Sequence, residues 1–292
     1  MPFPPPALYL EVDTFDARER LVELADWLDE MVHQLIEPPV RHALLQGRGV
    51  HQVAETEWSA DARVLDRALQ AERRDGEIVR EDWTDEAWTQ ARRDLARGKL
   101  KELRHEVLFL GEDGYPDAQR GLAFANVTLT EDEDTACVLA VLVSRAIYGT
   151  EIGRDEQAAW AAALCATAAR FHAATGYLTI DYVGRESPHE QSIGAYWLDG
   201  LRECRSTLRG YHWGNVLSRD HIEMLGGIEQ IKREAPCESV AELEEGLCYL
   251  QLSGDVDHFS DEALVNLETY LRPLLQQPDD DFEYVGLPLR VV

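Results

Sequence analysis

Two stretches near opposite ends of the chain follow one plan: "LYLEVDT" leads into "FDARERLVELADWLDE" (8–30), and "CYLQLSGDVDHF" leads into "SDEALVNLETYLRP" (248–273). Each is a strand ending in acidic turn residues, then a Phe and an amphipathic helix. In the first, Leu21, Leu24, Ala25, Leu28, Met31, Val32 and Leu35 recur at helical spacing, and Pro38 and Pro39 are expected to end the helix. Strand–helix units repeated with further strands between them define an α+β fold, a mixed or antiparallel sheet covered by helices. The shared plan suggests a duplicated ferredoxin-like arrangement, although any two α+β units look alike in outline.

The sequence between these units reads as one α+β domain, 1–292. Residues 40–104 are polar and rich in Arg and Glu, with Trp58, Trp83 and Trp88 as isolated anchors, and suggest a helical insertion. "HEVLFLG" (105–111) and "GLAFANVTLT" (121–130) resemble two strands of a hairpin joined by "EDGYPDAQ". "DTACVLAVLVSRAIYG" (134–149) is apolar on nearly every face and "RDEQAAWAAALCATAARFHAATG" (154–176) is Ala-rich with a Gly stop, so both are expected as buried helices. "YLTIDYV" (177–183) reads as another strand.

Charge narrows the partners. Against 28 Lys and Arg stand 55 Asp and Glu, a formal net charge of -27. Such a field repels nucleic acid and anionic membrane surfaces and speeds the approach of basic partners. Solubility or a halophilic origin would give the same excess. No run approaches the roughly 18 apolar residues of a membrane span, and "MPFPPP" lacks the basic and apolar regions of a signal peptide, so a cytoplasmic location is expected. Cys137, Cys165, Cys204, Cys237 and Cys248 are odd in number and contain no CxxC pair. That pattern argues against a disulfide framework or a zinc clip and for buried thiols.

The densest chemistry lies in "RGYHWGNVLSRDHIEMLGG" (209–227). Ser218 fits a helix N-cap, its hydroxyl placed for the amide of residue 220 or 221; Asp220 suits the first turn, Ile222 and Leu225 give an apolar face, and Gly226 or Gly227 a left-handed stop. As a nucleophile Ser218 lacks a GxSxG or SxxK setting. His212 and His221, nine residues apart, have no HExxH or acidic cluster beside them for a metal. His51 with Glu55, His105, His172 and His189 each have an ordinary structural reading. No glycine-rich phosphate loop is present, and neither "TEDEDT" (130–135) nor "QPDDDFEY" (277–284) has a calcium-loop ladder. No catalytic residue, cofactor or metal follows from these motifs.

Three stretches, "GYLTIDYVGRESPHEQSIG", "LRGYHWGNVLSRDHIEMLGGIEQI" and "CYLQLSGDVDHFSDEALVNLETYLRPLL", together resemble the bacterial immunity proteins found beside type VI and other polymorphic toxins. A Trp-containing strand, a Leu-Ser cap, a short helix ending in Leu-Gly-Gly, then a strand and a final helix carry the resemblance. It spans about 170–275, with looser agreement in "ALYLEVD" and "GLAFANVTL". The resemblance implies a non-enzymatic antitoxin that binds a cognate secreted toxin and blocks its active site.

The charge agrees with a basic toxin, such as a nuclease, captured by electrostatic steering. The partner-facing residues expected on this reading are Asp132, Glu133, Asp279, Asp280, Asp281 and Tyr284, with Tyr211 and His212 as outsiders. Two other classes stay open: an enzyme with a dispersed site using His105, His212 or His221, and a protein-binding scaffold of a secretion or phage system.

Overall fold

A computed structural model describes residues 6–15, 19–46, 65–110, 121–130, 136–149, 151–180 and 187–277. The residues cluster into two compact units, each described by itself. The first comprises Met1–Ala7, Ala17–Glu131 and Val138–Ile152, the second Leu8–Asp16, Asp132–Cys137 and Gly153–Val292.

The chain opens with β1 (Ala7–Thr14) and α1 (Leu21–Met31). Pro38 and Pro39 do not stop the helix: a π-helical stretch, Val32–Ile36, leads into α2 (Glu37–Leu45), whose first turn takes the prolines. Amides in a first helical turn need no intrahelical partner, so Pro costs little there. The segment expected to be a helical insertion contains a hairpin, β2 (Leu65–Arg73) with β3 (Ile78–Asp82), before α3 (Asp85–Ala96); residues 47–64, with His51, Glu55 and Trp58, lie outside the described residues.

Next come β4 (Leu100–Phe109), β5 (Leu122–Leu129), β6 (Cys137–Ser144), α4 (Arg145–Tyr148) and α5 (Arg154–Arg170). The expected buried helix at 134–149 is therefore mainly the strand β6, buried at every position. Its Val138, Val141 and Val143 suit a strand covered on both faces, where apolar residues run continuously instead of alternating. The remainder is β7 (Thr175–Thr179), α6 (Pro188–Ile193), α7 (Trp197–Glu203), β8 (Gly214–Leu217), α8 (Arg219–Met224), α9 (Ile228–Glu234), β9 (Ser239–Glu242), β10 (Cys248–Gln251) and α10 (Asp261–Leu271).

In the first unit the strand order is β3-β2-β4-β5-β6. β4 and β5 pair antiparallel with Glu106 opposite Phe124, as the hairpin reading expected. α3 packs on β4 and α1 on β5; Thr84 caps α3, and Trp88 Nε1 donates to Asp29 Oδ1 of α1 at 2.7 Å.

In the second unit the order is β1-β7-β8-β10-β9, every neighbouring pair antiparallel. α5 covers β7 with a stripe of Trp160, Ala163, Leu164, Thr167 and Ala168 at helical spacing. The α+β class with an antiparallel sheet covered by helices is thus present. The ferredoxin-like duplication is not confirmed, because β1 and its helix α1 belong to different units while β10 and α10 share one.

Candidate functional site

The alternation in β1 puts Tyr9, Glu11 and Asp13 on one face and Leu8, Leu10 and Val12 on the other. In an isolated sheet the first set would meet water. Here both sets are buried, Asp13 completely. The strand register carries the polar face sideways: Glu11 stands opposite Tyr177 of β7, and Tyr177 opposite Asn215 of β8.

Arg209 reaches this face from the loop before β8. Its Nη1 donates to Glu11 Oε1 at 2.5 Å and stands 3.4 Å from Asp13 Oδ2, while its Nε donates to Glu190 Oε1 at 2.9 Å. Tyr9 Oη donates to the other Glu11 oxygen. Glu190 is held by local structure: Ser187 caps α6, its hydroxyl accepting from the Glu190 amide at 3.1 Å while Glu190 Oε2 accepts from the Ser187 amide at 2.7 Å. The Ser187 hydroxyl also donates to Arg209 O at 2.5 Å. Gly200 of α7 lies against the cluster, where a Cβ would stand 2.6 Å from Glu190 Oε1 and 2.9 Å from Gln276 Oε1.

Three carboxylates thus surround one guanidinium in a region removed from water. Burial alone would lower Arg209, but Glu11 and the other acids outweigh it and keep the guanidinium protonated. Glu11 and Glu190 take its short bonds. Asp13 is left with the 3.4 Å contact, and its Oδ1 has no hydrogen-bond partner among the described residues. Burial, reinforced by Glu11, raises the Asp13 carboxyl from 3.8 to about 8, so it is a neutral acid at pH 7. Burial likewise raises Glu190 and, helped by Glu11, lifts Tyr177 well above 10.

The motif "GYHWGN" packs beside this cluster. The His212 ring stacks on Tyr177 with centroids 4.1 Å apart. Asn215 fixes the turn, its Oδ1 accepting from His212 N at 2.9 Å and its Nδ2 donating to His212 O at 2.7 Å. Trp213 Nε1 donates to Ser253 Oγ at 3.0 Å, and Tyr211 tilts against His189. Ser218 caps α8 as expected, with His221 as its reciprocal partner; Gly226 at φ 86° provides the left-handed stop.

Tyr211 and His212, two of the expected partner-facing residues, are both buried. Asp132, Glu133, Asp279, Asp280, Asp281 and Tyr284 lie outside the described residues. His105 belongs to the first unit, where it sits on β4 between Trp83 and Trp88, with neither ring nitrogen partnered among the described residues. His212 and His221 belong to the second. Burial lowers His105 to about 4, His212 to about 3 and His221 to about 4, so all three are neutral at pH 7.

Glu11, Asp13, Tyr177, Glu190 and Arg209 were not singled out from sequence. The available signal was "SPHE" (187–190), a Ser three residues before a Glu, which marks a capping box; nothing local linked it to β1. Among the described residues no group of His, Cys, Asp and Glu could hold a metal ion, and no helix is long and apolar enough to cross a membrane. All five cysteines are free, with Cys137, Cys204 and Cys248 buried. Comparison with protein-family models, curated proteins and solved structures yields no match to this chain.

Proposed function

We propose that this chain is an immunity protein, which binds a cognate basic toxin domain, such as a nuclease, one to one and blocks it. The observation that carries this reading is where the acid sits. Of the acidic residues described, only Glu11, Asp13, Glu102, Glu190 and Glu268 are buried, so the other described acids are at least partly open to solvent, in a chain of net charge -27. A field of that sign raises the encounter rate with a basic protein and disfavours nucleic acid. The likeness to immunity proteins across 170–275 supports the same reading, and Tyr177, Glu190 and Arg209 of the buried cluster lie within that region.

Co-expression tests it. The reading expects a toxin domain to be encoded beside this chain, and bacteria producing that domain should survive when the chain is present and die when it is absent. Survival that does not depend on the chain would refute the reading.

A further inference from the structure

We infer that β9 is the docking edge for the basic partner, which adds an extended, positively charged segment to it as a further strand. The inference rests on the immunity reading for who the partner is, and on the strand itself for where it binds. β9 ends the strand order of its unit, with β10 on one side and, among the described residues, no strand on the other.

The register decides which backbone groups are available. Ser239 stands opposite Gln251 and Ala241 opposite Tyr249, and Leu243 N donates to Leu247 O at 2.9 Å. In an antiparallel ladder alternate residues bond to the same neighbour, so Ser239, Ala241 and Leu243 turn their N–H and C=O groups toward β10. Val240 and Glu242 turn theirs away, where no backbone group of the described residues meets them.

Charge specifies what can pair there. The stretch 235–248 has four acids, Glu238, Glu242, Glu244 and Glu245, and no Lys or Arg. Glu242 already receives a cation, the Lys232 ammonium at 3.3 Å, shared with Glu229 at 3.1 Å. Glu244 and Glu245 are exposed at the turn that follows. β3, the edge of the first unit, also turns backbone outward, at Ile78, Arg80 and Asp82, but its charge is mixed: Arg80 stands beside Glu81 and Asp82 and is paired with Asp66 at 2.6 Å, and Arg73 is paired with Glu77 at 3.0 Å. A basic strand meets mixed, paired charge there, and at β9 the exposed carboxylates of Glu238, Glu242, Glu244 and Glu245. Added strands gain affinity from main-chain bonds, and flanking side chains choose the partner.

Hydrogen exchange on the full chain tests this, with an inactivated form of the toxin domain encoded beside it as the probe. On complex formation the Val240 and Glu242 amides should exchange at least about 10-fold more slowly, with Ile78 and Arg80 unchanged. V240P removes one outward N–H and leaves the bonds to β10; it should bind about 100-fold more weakly and melt at the same temperature. If V240P melts early, the E242K/E244K/E245K variant serves instead, with association slowed about 10-fold or more. A complex in which Val240 and Glu242 exchange as they do in the unbound chain, or a triple variant that associates at the original rate, overturns the edge and leaves the immunity reading standing. Absence of any complex overturns both.

Discussion

Arg209 Nη1 donates to Glu11 Oε1 at 2.5 Å across 198 residues of sequence, and this bond joins the opening strand of the second unit to the loop that begins "GYHWGN". The guanidinium is the common partner of Glu11 and Glu190, both almost fully buried. Replacing it by Met strands two buried carboxylates without a counter-ion. R209M should lose about 3–5 kcal/mol of stability, read as a lowered urea midpoint, and R209K should lose less because it keeps the charge but not the fork.

Asp13 should behave as a buried neutral acid. Its folded pKa of about 8 is above 3.8, so its contribution to stability is fully present below 3.8 and is lost as pH rises through 8. Between pH 6 and 7 the fall from this one group approaches about 1.4 kcal/mol per pH unit, and it levels off above pH 8. D13N, which keeps the shape and cannot ionise, should flatten that fall, so that its advantage over the parent grows from pH 6 to pH 8. Urea midpoints at pH 6, 7 and 8 decide it; a parallel decline in both proteins would show that Asp13 is ionised in the fold.

The buried histidines act in the opposite sense. With folded values of about 4, 3 and 4 for His105, His212 and His221, their contribution is present above 6.5 and is lost as pH falls through the folded values. Stability should therefore drop below pH 6.5, by about 1.4 kcal/mol per pH unit for each histidine at most. H105L removes one titrating group whose ring nitrogens have no partner among the described residues, and its acid unfolding midpoint should move to lower pH.

Gly200 sets helix propensity against packing. Ala is favoured over Gly inside a helix by about 1 kcal/mol, yet the added Cβ would meet Glu190 Oε1 at 2.6 Å and Arg209 Cγ at 3.0 Å. Glu190 is held by both Ser187 and Arg209 and cannot yield cheaply. Overpacking of about 1–3 kcal/mol, together with the displaced ion pair, should win, so G200A melts below the parent. A higher melting temperature would show that the cluster has room.

What was legible in the sequence was local. The Ser218 cap, the Gly226 stop, the alternation of β1 and the β4–β5 pair follow from residues within a few positions of one another. The β6 segment reads as a helix from sequence because a short apolar run has no period to read, and only burial on both faces shows it to be a strand. The Arg209 cluster was hidden for a different reason. Glu11 and Asp13 occupy the positions of β1 where solvent-facing residues normally stand, and their burial depends on a loop almost two hundred residues away. The histidines that invited a catalytic reading are locally coherent, and the fold gives them packing and capping contacts: a stack on Tyr177 for His212 and the reciprocal cap of α8 for His221.

The central claim is stoichiometric neutralisation, and titration tests it most directly. With the purified toxin domain encoded beside this chain at a fixed concentration well above Kd, its activity should fall linearly with added chain and reach zero at one equivalent. Full activity at excess chain, or complete inactivation by a small fraction of an equivalent, would contradict it; the latter would mean that the chain turns over as an enzyme.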